Sequence, residues 1–155
     1  KIPPMELKPA KVNSLIEESL SLIQYDKRTQ DITIIKDLAS DIPMITTDTS
    51  QLSHVLVNMI LNAADAMPEG GTLTIRSRVK NNSIVIDFED TGVGIDSDNI
   101  SRIFDPLFTT KEKGTGLGLA VSHRIIKKLN GSITVKSEPD KGSKFVITLP
   151  LYVTI

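Results

Sequence analysis

Asp90–Ile95 reads DTGVGI, Ile103–Lys111 reads IFDPLFTTK and Gly114–Ala120 reads GTGLGLA. Two glycine clusters flank a polar segment that holds a proline and two phenylalanines. A carboxylate opens the stretch and an apolar helix begins at its end. That is the layout of a nucleotide pocket with a movable cover. Asp90 follows an apolar run that reads as a strand. A carboxylate there can accept from the exocyclic amine of adenine and would repel the acceptor that guanine offers in the same place. Gly92 and Gly94 permit close backbone approach. The competing reading of Asp-Thr-Gly alone is an ordinary surface turn.

Gly114-Thr115-Gly116-Leu117-Gly118 runs into a helix. Unsatisfied N–H groups at a helix start attract phosphates, although a glycine-rich helix entry is an equally simple reading. The spacing is not that of a Walker loop or a dinucleotide fingerprint. Phe104 and Phe108 read as apolar anchors of a loop, because Pro106 between them argues against one continuous helix. Thr109, Thr110, Lys111 and Lys113 then become its phosphate-facing groups, with Lys111 the one nearest the terminal phosphate. Loops of this kind commonly close on ligand.

Working outward, Leu52, Val55, Met59, Ala63 and Ala66 predict a buried helical stripe, and Asp48 with Gln51 makes a capping-box pattern before it. His54, Asn58, Asn62 and Asp65 fall on a second, polar face of the same helix. An amide oxygen is a hard ligand suited to Mg²⁺; a solvated face is the plainer alternative. Neither His54 nor His123 has a second histidine or a cysteine near it in the sequence, so both read as partly exposed packing residues.

Further elements follow from periodicity. A helix is expected over roughly Val12–Lys27, a strand over Asp31–Leu38 and an edge strand over Met44–Thr46. A hairpin joins Thr72–Lys80 to Ser83–Glu89 through Asn81-Asn82. A short helix is expected over Asp96–Phe104, then a helix from near Gly116 that stops at Asn130-Gly131. A second hairpin, Ser132–Ser137 with Ser143–Leu149, closes the chain. This order predicts an α+β fold, a two-layer sandwich whose mixed sheet of about five strands carries helices on one face.

The 155 residues suit one domain. A net charge of −1 advertises neither nucleic acid nor an anionic membrane, and no nucleic-acid or membrane contact is expected from this stretch. The absence of cysteine excludes disulfides and thiolate metal sites. The start at Lys1 rather than Met suggests an excised domain.

Taken together, the motifs resemble the catalytic ATP-binding domain of bacterial two-component sensor histidine kinases, within the superfamily that includes gyrase, Hsp90 and MutL. NMILNAADA at Asn58–Ala66 resembles the N box and DTGVGI the first glycine box. IFDPLFTTK resembles the F box and GTGLGLA the second glycine box. Gly142-Ser143-Lys144-Phe145 resembles the final glycine motif, and NAADAMPEGG with FTTK is most similar to the nitrogen-regulation and sporulation-kinase branch. The resemblance implies a Bergerat-type fold and a Mg-ATP site built from Asn58, Asn62, Asp65, Asp90, Gly92, Gly94, Ile95, Phe104, Thr109, Thr110, Lys111, Gly114–Leu119 and Ser143. Asn62 would meet the metal, with Asn58 and Lys111 also catalytic, and Ser143 would bond the base through water. Superfamily hydrolases carry a glutamate where Asn58 stands. An amide cannot act as a general base, so transfer to an external acceptor is favoured over hydrolysis.

That acceptor is implied to be a histidine on a helical dimerisation domain, with Lys1–Lys11 the tail of the linker from it and residues 12–155 the catalytic domain. A response-regulator receiver would be the downstream partner. The full-length protein would be a cytoplasmic or membrane-anchored homodimer. A superfamily serine kinase and a nucleotide-controlled docking module are the alternatives.

Overall fold

The computed structural model describes residues 4–106 and 118–151. In chain order the elements are β1 (Lys8–Ala10), α1 (Val12–Leu22), a 3-10 turn (Lys27–Thr29), β2 (Ile32–Leu38), β3 (Ile45–Thr47) and α2 (Thr49–Asp65). They continue with β4 (Gly71–Lys80), β5 (Ser83–Asp90), α3 (Ser97–Ile100), α4 (Gly118–Lys128), β6 (Ser132–Ser137) and β7 (Ser143–Pro150). Five strands form one mixed sheet in the order β2-β4-β5-β7-β6, with β2 parallel to β4 and the other pairs antiparallel. The helices lie on one face of it, giving the α+β sandwich the sequence predicts.

α2 is the helix on which the others converge. Leu52, Val55, Leu56, Met59, Ile60, Ala63 and Ala64 are its buried side, packed on β4 and β5 and flanked by α1 and α4. Its start is fixed by Asp48. One carboxylate oxygen accepts from the Gln51 amide at 2.9 Å, and the other accepts from the Glu6 amide at 2.9 Å. Burial pushes the Asp48 carboxyl up, but these bonds, with those from the Gln51 side chain and the Ser50 amide, outweigh it and hold the group below the usual value. The strands alternate as their pattern demands. On β7, Ser143, Phe145, Ile147 and Leu149 point inward to the helices.

The outer face of the sheet is laced by charge. Arg76 meets Glu89 at 2.8 Å and Arg78 meets Asp87 at 2.7 Å. Asp87 is only 2% exposed, covered by these cross-strand neighbours.

Four local readings change. Lys8–Ala10 is not only a connecting tail: it pairs antiparallel with β3, and Ala10 is buried. Proline is tolerated there because the two-stranded ribbon has an open edge. Helix α1 stops at Leu22, short of Lys27, because Asp26 caps a new turn by accepting from the Arg28 amide at 2.9 Å. The Arg28 guanidinium and amide hold the Asp26 carboxyl down to about 2. Of the helix expected over Asp96–Phe104 only Ser97–Ile100 forms. Single turns follow up to Asp105, the residue that Pro106 steers away from helical dihedrals. The strand expected over Met44–Thr46 sits one residue later.

Two turns behave as their residues dictate. Asn81 and Asn82 both take positive φ, 51° and 63°, as a two-residue hairpin loop requires. Helix α4 ends with Asn130 left-handed at φ 63° and the Gly131 amide donating back to Ile126 at 2.9 Å. Asn130, not Gly131, therefore supplies the left-handed residue of the cap.

Candidate nucleotide site

β5 delivers Asp90 to the end of the central strand, on the helix side of the sheet. It is 4% exposed. Its Oδ1 accepts from the Gly92 amide at 2.9 Å and the Ser143 amide at 3.2 Å. Among the described residues no donor reaches Oδ2. Burial pushes the Asp90 carboxyl above its ordinary value, against the pull of the two amide bonds and with a small further rise from Glu89. One oxygen is spent on shaping the loop, and the other remains for a ligand donor.

The loop after Asp90 is pinned from two sides. The Val93 amide donates to the Ala66 carbonyl at the end of α2, 3.0 Å away, and the Val93 carbonyl accepts from the Asp140 amide at 2.7 Å. Gly94 has φ +75°, and a Cβ there would lie 1.9 Å from the Glu138 carbonyl oxygen. Gly142, φ +83°, would put a Cβ 2.0 Å from the Asp90 carbonyl oxygen. The β6–β7 turn and the DTGVGI loop therefore pack backbone to backbone, with no room for side chains between them.

Ser137 is the residue the sequence reading missed. Its Oγ accepts from the Ile95 amide at 2.7 Å and lies 3.0 Å from the Gly142 carbonyl and 2.8 Å from Ser143 Oγ. Its signal is weak: it stands 42 positions from Ile95, and only the register of β6 on β7 sets it beside Ser143.

The amide face of α2 forms the other side. The Asn58 amide nitrogen donates to Ser122 Oγ at 3.2 Å and to the Gly118 carbonyl at 3.4 Å. This ties α2 to the first turn of α4. The Asn62 side chain makes no hydrogen bond to a described residue and is half-buried. Asp65 lies 3.7 Å from the Arg28 guanidinium. His54 is exposed. His123 packs on Phe104, ring centroids 5.0 Å apart, so Phe104 anchors to α4. Ile95, Gly118 and Leu119 are described and stand beside these groups in the chain. Thr109, Thr110, Lys111, Lys113, Gly114, Thr115, Gly116 and Leu117 lie outside the described residues.

The two ends fit the groups the sequence implies. A half-used buried carboxylate beside side-chain-free backbone suits a flat base carrying an amine. An amide oxygen at Asn62 with no described partner suits a hard cation that keeps most of its waters.

The chain belongs to the family of histidine kinase-, DNA gyrase B- and HSP90-like ATPases, whose model matches residues 47–153. Among its relatives, sporulation kinase E of Bacillus subtilis (strain 168) is 36% identical over 90% of this chain and 19% of that protein. The sensor histidine kinase ZraS of Escherichia coli (strain K12) is 37% identical over 97% of this chain and 32% of its own. The chain thus spans between about a fifth and a third of these relatives. The nucleotide-free catalytic domain of the histidine kinase ThkA superimposes with a TM-score of 0.86 at 28% identity, covering 96% of this chain and 97% of that one. Among the described residues no helix is long and apolar enough to cross a membrane.

Proposed function

We propose that this domain binds Mg-ATP and presents its γ-phosphoryl group to a histidine on a separate helical domain, as the catalytic part of a sensor kinase. The observation that carries the reading is Asp90: a buried carboxylate at a strand end, one oxygen fixed by two backbone amides and the other left for an amine. Asp90 selects the base, and the Gly92–Ile95 backbone lies against it. Asn62, with Asn58 beside it, would offer amide oxygen to the cation, which would supply charge neutralisation at the phosphates. Lys111 and Gly114–Gly118 are assigned to the phosphates on the sequence pattern.

What the chain's own residues supply is orientation and charge. Asn58 stands where a hydrolase of the superfamily would hold its base, and its amide is tied to Ser122 and Gly118. That supports transfer to an acceptor in preference to water. Neither histidine of the chain suits the acceptor role: His123 is stacked with Phe104, and neither His54-Val55-Leu56 nor His123-Arg124-Ile125 resembles the family's acceptor context. The names of the relatives, a sporulation kinase and a sensor histidine kinase, support the kinase reading; a receiver domain as the next acceptor and a cytoplasmic setting belong to the same proposal.

The test is labelled ATP with and without a histidine-bearing helical domain from the same kinase. Acid-labile label is expected only on the added domain. Label on His54 or His123 of this chain alone overturns the assignment of the acceptor.

A further inference from the structure

Asp90, Ser143 and Ser137 are direct register partners across β5, β7 and β6. Their side chains therefore leave the same face of the sheet, side by side in one row. The hydrogen bonds along that row have a direction. The Ile95 amide can only donate, and it gives its hydrogen to Ser137 Oγ at 2.7 Å. The Gly142 carbonyl can only accept: it takes the Ser137 Oγ–H at 3.0 Å, the shorter of its two bonds, and the Glu138 amide at 3.4 Å. A serine has one hydrogen to give. Either oxygen could donate across the 2.8 Å contact between the two hydroxyls; with the Ser137 hydrogen on Gly142, the donor left for it is Ser143. Ser143 Oγ is left with lone pairs only. Next to it Asp90 Oδ1 is taken by the Gly92 and Ser143 amides, and Oδ2 is again an acceptor.

We propose that Ser137 is a positioning residue that sets base selectivity: by holding the Ser143 hydroxyl hydrogen it keeps Ser143 an acceptor beside Asp90. Two neighbouring acceptors match the two hydrogens of a 6-amino group, met directly or through water, and repel the 6-oxo group of a purine. The inference rests on the reading of this side of the candidate site as the adenine site.

The experiment measures the affinities of the intact chain for ATP and for inosine triphosphate by calorimetry. Ser137→Ala frees the Ser143 hydroxyl to turn and donate. The ATP-to-inosine-triphosphate preference is expected to fall about three- to tenfold. Ser137→Thr, which keeps the hydroxyl, is expected to retain it. Ser143→Ala is expected to lower the preference as well, and adding Ser137→Ala to Ser143→Ala to change it no further. A Ser137→Ala protein that loses both nucleotides equally, with the preference intact, has lost only structure, and that result overturns the proposal. So does a preference that still drops in the Ser143→Ala background. If Ser137→Ala does not fold, Ser143→Ala decides, since an unchanged preference there leaves Ser137 nothing to act through. A wild-type chain with no preference for ATP, or one whose ATP affinity survives Asp90→Asn, refutes the adenine site itself and is told apart from a failure of Ser137 alone.

Discussion

The two sides of the candidate site are built differently. At the base end Asp90, Gly92, Val93, Ile95, Ser137, Asp140 and Ser143 hold one another through amide and hydroxyl bonds of 2.7–3.2 Å. Gly94 and Gly142 let the two loops touch. At the amide end Asn58 is held by two longer bonds, 3.2 and 3.4 Å, and the Asn62 side chain has no described partner. On the proposed reading, the base side is shaped by the protein's own hydrogen bonds, whereas on the amide side Asn62 keeps its polar atoms free of described partners.

If the base end is pre-organised, disturbing its backbone should do most harm. Gly94→Ala adds a methyl group at φ +75° against the Glu138 carbonyl. It should destabilise the domain by about 2–5 kcal/mol, the left-handed penalty plus the clash, measured by urea unfolding. A loss within 0.5 kcal/mol, roughly the range of a neutral surface change, would mean that the loop gives way easily.

Asp90→Asn tests the reader without moving it. ATP affinity should fall about 10- to 100-fold, the worth of a charged hydrogen bond. The fold should not suffer at neutral pH, because burial raises the Asp90 pKa. A carboxyl with a raised folded pKa favours the fold while protonated. Its ionised form begins to weigh against the fold as pH climbs past the ordinary value, and does so fully above the raised one. Removing the charge removes that cost. The same shift means that ATP affinity should start to fall on acidification at a higher pH than an ordinary aspartate would dictate. The Asn variant should show no such step. Calorimetry across acidic pH checks both, and parallel profiles would separate Asp90 from the base.

Much of this was legible because it is local. The α2 stripe, its Asp48 cap, the Asn81-Asn82 hairpin and the sheet it belongs to follow from periodicity and turn chemistry within a few residues. Asp90 and Ser143 were legible only through the order of motifs, since as isolated residues they resemble turn and strand polar groups. Ser137 and β1 were not legible. Ser137 acquires its role from a strand register, and β1 hides among prolines because its pairing partner is some 37 residues on. The burial of Asp87 is likewise a cross-strand product of Arg78 and Lys144, and nothing in the run IDFED announces it.

The amide end should respond more gently. Asn62→Ala should slow Mg²⁺-dependent transfer about tenfold while changing the binding of metal-free nucleotide far less. Equal losses in the two assays would take the cation away from Asn62.

The smallest expected effect is also the most specific to this end. The Gly118 carbonyl can only accept, so the Asn58 nitrogen faces α4 and the amide oxygen, the end that can meet a cation, stays out of the tie. Ser122, fully buried on α4, fixes that orientation by accepting at 3.2 Å. Ser122→Ala leaves only the 3.4 Å bond to Gly118 and lets the amide rotate. Transfer at saturating Mg-ATP should fall about two- to fivefold, within the worth of one neutral hydrogen bond, with the preference for adenine unchanged. A faster reaction would mean that the tie restrains Asn58 from its working position. A changed base preference would mean that the two ends are coupled through α2, whose last turn meets the Val93 amide at Ala66.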